Sequence, residues 1–292
     1  MSSKPPQVPL VETFFDPATF TASYVVHDPA TLMAAIIDPV LVFTPRNGRT
    51  STRSADAMLE FIAVRGLKLA WLLETHAHAD HLSASHYLRE RTGAPIVIGA
   101  QIVEVQRVFA ALFEADDVTP DGSQFDRLVN EGDVLALGEL EIGVLHTPGH
   151  TPACVSYVIG DAVFVGDTLF MPDYGTARSD FPGGSAEALY ASIRKILALP
   201  DETRMFVGHD YLPEGRSEFR WQTSVAEQNA ANVQISAGVS EADFVALRRA
   251  RDAVLEAPLL ILPALQVNIR AGAMPPASPG GHVYLRLPVN AI

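Results

Sequence analysis

One cysteine, Cys154, stands among 292 residues. An internal disulfide and a cysteine-based zinc knuckle are therefore excluded, and a reducing compartment fits. Basic residues are scarce: 21 Lys and Arg face 34 Asp and Glu, for a net charge of −13. That balance argues against a nucleic-acid backbone or an anionic membrane surface as partner. An acidic substrate would need a locally basic pocket, which works because charge is screened beyond about 8 Å at physiological salt. Long apolar runs are missing as well. The most apolar late stretch, Leu259 to Val267, is too short to span a bilayer and contains Pro263. Met1-Ser2-Ser3-Lys4-Pro5-Pro6 has no apolar segment of a secretion signal behind it, so the expected location is the cytoplasm. No short-period repeat, low-complexity run or linker interrupts the chain.

What remains is 48% hydrophobic, enough for a sizeable core. Residues 20–26 and 32–37 read as a hairpin across His27-Asp28-Pro29-Ala30, ending at Asp38, a metal-ligand candidate whose more ordinary role is to hold turn amides. Ser54 is placed to cap a helix carrying Met58, Phe61 and Ile62, closed by Gly66. Leu67 to Leu73 reads as a buried strand, Leu82 to Arg91 as a helix, and Pro95 to Gly99 as the next strand. Ile102, Val105, Val108 and Leu112 mark an amphipathic helix. Short strands fill Phe125 to Tyr157, and Val155–Ile159 with Ala162–Val165 forms a hairpin over Gly160-Asp161. Ser185 caps a helix bearing Leu189, Ile193 and Ile196, Met205 to Val207 is a strand, and Trp221 to Asn232 a helix. Ser240 opens another helix, with Asp243 placed for a capping box. Beyond Pro258 the recurring prolines suggest an extended tail, about 258–292. Two blocks of strands, each followed by helices, predict two β-then-α halves packed sheet to sheet. The expectation is one α+β domain over residues 1–292.

The chemistry concentrates in Thr75-His76-Ala77-His78-Ala79-Asp80-His81, with three imidazoles and a carboxylate in six residues. In an extended loop His76 and His78 point to one side. Imidazole and carboxylate together suit zinc, manganese or iron; the alternative is a solvated polar start of a helix. Three later stretches repeat a pattern of strand, turn and ligand type. His146-Thr147-Pro148-Gly149-His150 offers His150 as a ligand, with His146 structural. Gly166-Asp167 follows an apolar strand, and Phe206-Val207-Gly208-His209-Asp210 ends in another histidine. A strand-end Asp is often only a turn former, but four such loops point to one metal centre at a sheet edge.

This series, His-x-His-x-Asp-His, then His, Asp and His, resembles the metallo-β-lactamase superfamily over residues from about 20 to 211. The resemblance implies a four-layer αββα sandwich with metal in a cleft at one sheet edge. The motif is specific for the fold and not for the reaction. Asp167 stands where many true β-lactamases of the superfamily carry cysteine, and nuclease members need a nucleic-acid surface. Gly175-Thr176-Ala177-Arg178-Ser179-Asp180-Phe181 is similar to the Gly-x-Gly-Arg-Thr-Asp-Phe of the persulfide dioxygenases, where glyoxalase II-like chains have lysine and an aromatic. Thr151-Pro152-Ala153-Cys154, His209-Asp210-Tyr211 and Gln266-Val267-Asn268-Ile269-Arg270 resemble that branch too. Ala153 replaces its usual glycine. Leu169 to Tyr174 is longer than in the mitochondrial-type enzymes and resembles the bacterial β-lactamase-hydrolase-like branch, often fused to a rhodanese domain of which no sign is read here.

By itself the ligand set suits two metals as well as one. A dinuclear zinc hydrolase of glyoxalase II type, acting on glutathione thioesters, would use Asp167 as bridge. The dioxygenase resemblance implies one Fe(II) per chain on His76, His150 and Asp167, with His78, Asp80, His81 and His209 around it or serving a second metal. It implies oxidation of glutathione persulfide by O2 to sulfite and glutathione. Arg178 is the candidate grip for a glutathione carboxylate, with a salt bridge to Asp180 as the alternative. Tyr211 is a candidate hydrogen-bond donor near the sulfur, with packing on His209 as the alternative, and Arg270 is a third contact. Cys154 is expected to be buried packing. A homodimer is left open, as is a binding protein with a vestigial metal cleft.

Overall fold

The structure, a computed structural model, describes residues 8–291; residues 1–7, on which the reading of the N-terminus rests, and residue 292 lie outside the described residues. The chain opens with three antiparallel neighbours, β1 (Leu10–Asp16), β2 (Thr21–His27) and β3 (Met33–Ile37). The β2–β3 turn is tied by Asp28, which accepts from the Ala30 amide at 2.9 Å and the Thr31 hydroxyl at 2.6 Å. A small ribbon, β4 (Val40–Thr44) and β5 (Arg49–Ser51), leads into α1 (Arg53–Arg65), which stops at Gly66 with φ 64°. Its cap position is Thr52 rather than the expected Ser54, and the Thr52 hydroxyl donates to Asp56 instead of capping an amide.

β6 (Lys68–Leu73) runs parallel to β3 and delivers the histidine loop. The helix expected from Leu82 begins three residues later. Leu82 and Ser83 form β7, paired with Leu41 and Val40 of β4, and α2 spans Ser85–Thr92. A two-residue strand made by a distant partner leaves no local signature. β8 (Ile96–Gly99), α3 (Ile102–Phe113) and β9 (Arg127–Val129) complete the first sheet, in the order β1-β2-β3-β6-β8-β9. The inner stripe of α3 is Ile102, Val105, Phe109 and Phe113; Val108, expected inward, is 41% exposed.

The second sheet begins as a meander, β10 (Val134–Leu137), β11 (Leu140–His146), β12 (Val155–Ile159) and β13 (Ala162–Phe164). α4 (Ala186–Ile196), capped by Ser185 as expected, crosses over to β14 (Arg204–Phe206), parallel to β13. The helix expected over Trp221 to Asn232 is shorter: Gln222–Ser224 is strand β15 on β14, and α5 (Val225–Ala231) starts from a capping box of Ser224 with Glu227. In α6 (Glu241–Asp252), Ser240 accepts from the Asp243 amide at 3.2 Å. The tail expectation is corrected too, because Ile261–Asn268 is helix α7. Pro263 sits in its first turn, where backbone N–H groups have no intrahelical acceptor, so the ring breaks nothing.

Strand alternation explains the layering. Ala34 and Ile36 of β3 face one core with Met58, Leu88, Phe109 and Leu265 of α1, α2, α3 and α7. Their neighbours Ala35 and Ile37 face the second sheet, against Leu135, Ile142, Tyr157 and Phe164. The far side of that sheet, Val163 and Met205, packs on Leu189, Ile193 and Phe244 of α4 and α6. Helix, sheet, sheet and helix thus stack in the expected αββα sandwich. Among the described residues no helix is long and apolar enough to cross a membrane.

Candidate metal centre

Each candidate ligand hangs from the end of a strand, and each loop is locked from behind. Asp38 follows β3 with φ 48° and accepts from the Thr75 amide at 2.7 Å and the Thr75 hydroxyl at 2.8 Å. Its expected role of holding turn amides is therefore visible. The second sheet pins the same loop: Val155 N donates to Thr75 O at 2.9 Å, and the Tyr157 hydroxyl donates to Glu74 O at 2.9 Å. Asp167 leaves β13 through Gly166, whose φ is 51°. Gly208 is required beside it, since a Cβ there would stand 2.7 Å from Asp167 Oδ1.

The backs of the imidazoles fix their fronts. His150 Nδ1 lies 2.8 Å from Arg178 O, His81 Nδ1 3.1 Å from Leu82 O, and His209 Nδ1 3.2 Å from Phe20 O. A carbonyl only accepts, so each Nδ1 carries a proton, which leaves Nε2 as the atom facing the centre. His76 Nδ1 meets the Thr75 hydroxyl at 3.0 Å.

The fronts converge. His76 Nε2 and His150 Nε2 each stand 3.7 Å from the same oxygen, Asp167 Oδ2, and the three ligand atoms lie within 4.8 Å of one another. Donors about 2.1 Å from a shared ion stand about 3–3.5 Å apart, so a small relaxation would bring these three atoms to the spacing that one ion needs. His76 Nε2 and Asp167 Oδ1 are buried without a hydrogen bond, as are His81 Nε2 and His209 Nε2. Unpaired buried lone pairs are costly, and a bound cation would satisfy those within its reach; His81, expected among the ligands, belongs to none of the ligand groups found among the described residues. A second trio, His78, Asp80 and His209, also comes within 4.8 Å, with His209 Nε2 3.0 Å from Asp80 Oδ2 and 3.3 Å from Asp167 Oδ1. Neither contact is aligned as a hydrogen bond.

Burial and the surrounding imidazoles hold the His76 pKa well below its ordinary value, and burial foremost pushes His81 down to about 3. Both are thus neutral and ready to coordinate near pH 7. Burial raises Asp167, against the pull of His209 and His150. His78 differs. Burial would lower it, but the Asp38 and Glu74 carboxylates outweigh burial and raise it well above the ordinary value. Its Nε2 is 3.0 Å from Asp38 Oδ1 and 3.4 Å from Glu74 Oε2, close but not aligned as hydrogen bonds.

A profile of the metallo-β-lactamase superfamily matches residues 34–209. The chain belongs to that superfamily. A probable metallo-hydrolase of Burkholderia pseudomallei is 53% identical over 293 residues, 97% of this chain and 99% of that one. A β-lactamase hydrolase-like protein of Xylella fastidiosa is 52% identical over 98% of this chain, which spans only 66% of that relative. The human mitochondrial persulfide dioxygenase ETHE1 is 34% identical over 69% of this chain and 68% of its own length. The crystal structure of ETHE1 from Myxococcus xanthus superposes with a TM-score of 0.72 at 35% identity, covering 90% of this chain and all of that one. As a superfamily member with these His and Asp clusters, the protein is a metal-dependent enzyme.

The remaining candidates each have partners of their own in the structure. The Arg178 guanidinium grips Asp180 with two bonds, of 2.6 and 2.7 Å, and donates to Glu256 O at 2.7 Å. The alternative role foreseen for it is thus occupied, and its carbonyl also orients His150. Tyr211 stacks on His209 at 5.5 Å and 15°. Arg270 is bound to Asp117 by two bonds, of 2.7 and 2.6 Å, and lines a cavity of about 380 Å³ with Phe113, Glu114, Tyr284 and Arg286. His146 Nε2 lies 2.9 Å from Pro152 O, a structural contact. Cys154 is buried, its sulfur 3.1 Å from the Thr151 hydroxyl. Two residues that sequence reasoning missed are Glu74, beneath His78, and Asn268. The latter donates from α7 to His78 O and His81 O, both at 2.8 Å, and accepts from Ser83 N at 2.8 Å.

Proposed function

We propose that the protein is an Fe(II) persulfide dioxygenase, oxidising glutathione persulfide with O2 and one water to sulfite and glutathione. The observation that carries the reading is the single Asp167 oxygen lying 3.7 Å from the Nε2 atoms of both His76 and His150. His76, His150 and Asp167 would hold Fe(II), a donor set of two imidazoles and one carboxylate that suits this ion, and the iron would supply the redox chemistry for oxidation of a persulfide by dioxygen. Kinship with a relative named persulfide dioxygenase supports the same choice.

The chain's own residues then bind, orient and exclude water. Ala77, Ala79, Val105, Phe109, Phe181 and Leu265 form an apolar nook beside His150, which shields that flank of the centre. Tyr211, its phenol kept protonated by burial, is the proposed donor toward the substrate sulfur. Arg178 is the proposed grip for a glutathione carboxylate, in exchange for Asp180. Arg270 would reach a substrate carboxylate only by releasing Asp117. The proposed partners are thus a small thiol persulfide and O2.

A specific observation favours a second reading, a dinuclear zinc hydrolase of glutathione thioesters: the trio of His78, Asp80 and His209 could hold another ion. The test sets oxygen uptake by iron-loaded protein with glutathione persulfide against hydrolysis of S-lactoylglutathione by zinc-loaded protein. Uptake with sulfite release is expected. Thioester turnover without oxygen uptake would reverse the assignment.

A further inference from the structure

The trio of His76, His150 and Asp167 omits the middle histidine of its own loop, His78, which instead groups with Asp38 and Glu74 and with Asp80 and His209. His78 Nε2 faces two carboxylates, Asp38 Oδ1 at 3.0 Å and Glu74 Oε2 at 3.4 Å, and its side chain is 1% exposed. Both carboxylates are anchored. Asp38 is held by the amide and hydroxyl of Thr75. Glu74 Oε1 accepts from the hydroxyls of Ser83 and Ser85, and the Glu74 carbonyl is held by Tyr157. Glu74 Oε2 has no hydrogen bond, so it is free to attract the imidazole. The His78 ring centre lies 4.1 Å from those of both His76 and His81. It is therefore near enough to join the centre once the pull from behind is removed.

We propose that Glu74 is a positioning residue that, with Asp38, holds His78 away from the His76–His150–Asp167 centre and so limits that centre to three protein ligands. The proposal rests on the three-ligand reading above and deepens it. A fourth protein ligand would occupy one of the positions that two reactants must share. Glu74 touches no reactant; it acts through His78, and Ser83 and Ser85 act through Glu74.

The test counts imidazoles on the metal by X-ray absorption of protein loaded with one equivalent of Co(II). Two are expected in the unsubstituted protein and three in Glu74→Ala. In Glu74→Ala combined with His78→Ala the count should return to two, because the added nitrogen comes from His78. Should Glu74→Ala fail to fold, Glu74→Gln keeps the volume and the serine contacts while removing the charge, and is read in the same way. Three imidazoles in the unsubstituted protein, or two in both Glu74 variants, would overturn the proposal. An absence of oxygen uptake would remove the dioxygenase reading and leave this count unaffected, so the two failures are distinguishable.

Discussion

Asn268→Leu tests how the metal loop is held. Leucine keeps the branching at Cγ and removes three buried hydrogen bonds of 2.8 Å, stranding the carbonyls of His78 and His81 and the amide of Ser83. Stranded buried groups cost about 1–3 kcal/mol each; with partial relief by loop movement, about 3–5 kcal/mol is expected. At roughly 2 °C per kcal/mol for a chain of this size, the metal-free protein should melt roughly 6–10 °C lower. Two of the three bonds end on His78 and His81, which bracket Ala79 and Asp80, so metal affinity should also fall, by about 10- to 100-fold. Differential scanning fluorimetry of the metal-free protein reads the first effect, and competition against a chelator reads the second. Gln266→Leu is the control. It also removes three bonds from α7, to Leu262 O, Arg286 O and Arg286 N, but none to the loop. It should lower the melting temperature and spare affinity. If Asn268→Leu melts lower yet binds metal as tightly as the unsubstituted protein, the clamp reasoning is refuted.

Asp167→Ala should abolish stoichiometric metal binding while the sandwich stays folded, because it deletes the oxygen facing both His76 and His150; metal analysis of anaerobically loaded protein checks this. Gly208→Ala should weaken metal binding at least tenfold, since the new methyl would meet Asp167 Oδ1 at 2.7 Å; isothermal titration with Co(II) would refute it by showing an unchanged constant. Burial pushes the Cys154 thiol up to about 12, so iodoacetamide at pH 8 should label the unfolded chain fully and the native chain hardly at all. Stoichiometric labelling of native protein would count against that burial.

The layers and the convergent loops were legible because both follow local rules. Alternating or wholly apolar strands announce a buried sheet, and a His or Asp after such a strand announces a group mounted at its edge. Elements whose partners are remote were not. Leu82–Ser83 is a strand only because Val40 and Leu41 lie beside it, and Gln222–Ser224 only because of β14. Pro263 read as a helix breaker, although the first turn of α7 needs no donor there. Glu74 sits before the motif like any polar strand end, and Asn268 like a polar residue in a tail that reads as extended. Their importance comes from what folds onto them, which spacing does not encode.

Asn268 closes over a loop made 190 residues earlier in the chain, and it lies beyond the stretch that the superfamily profile recognises. During synthesis every candidate ligand emerges long before the side chain that holds the carbonyls of His78 and His81. Assembly of the centre therefore has a last step set by chain order. A nascent chain halted between His209 and α7 would display a full set of donors on a loop tied at Glu74 and Thr75 but free at His78 and His81, open to whichever ion arrives first.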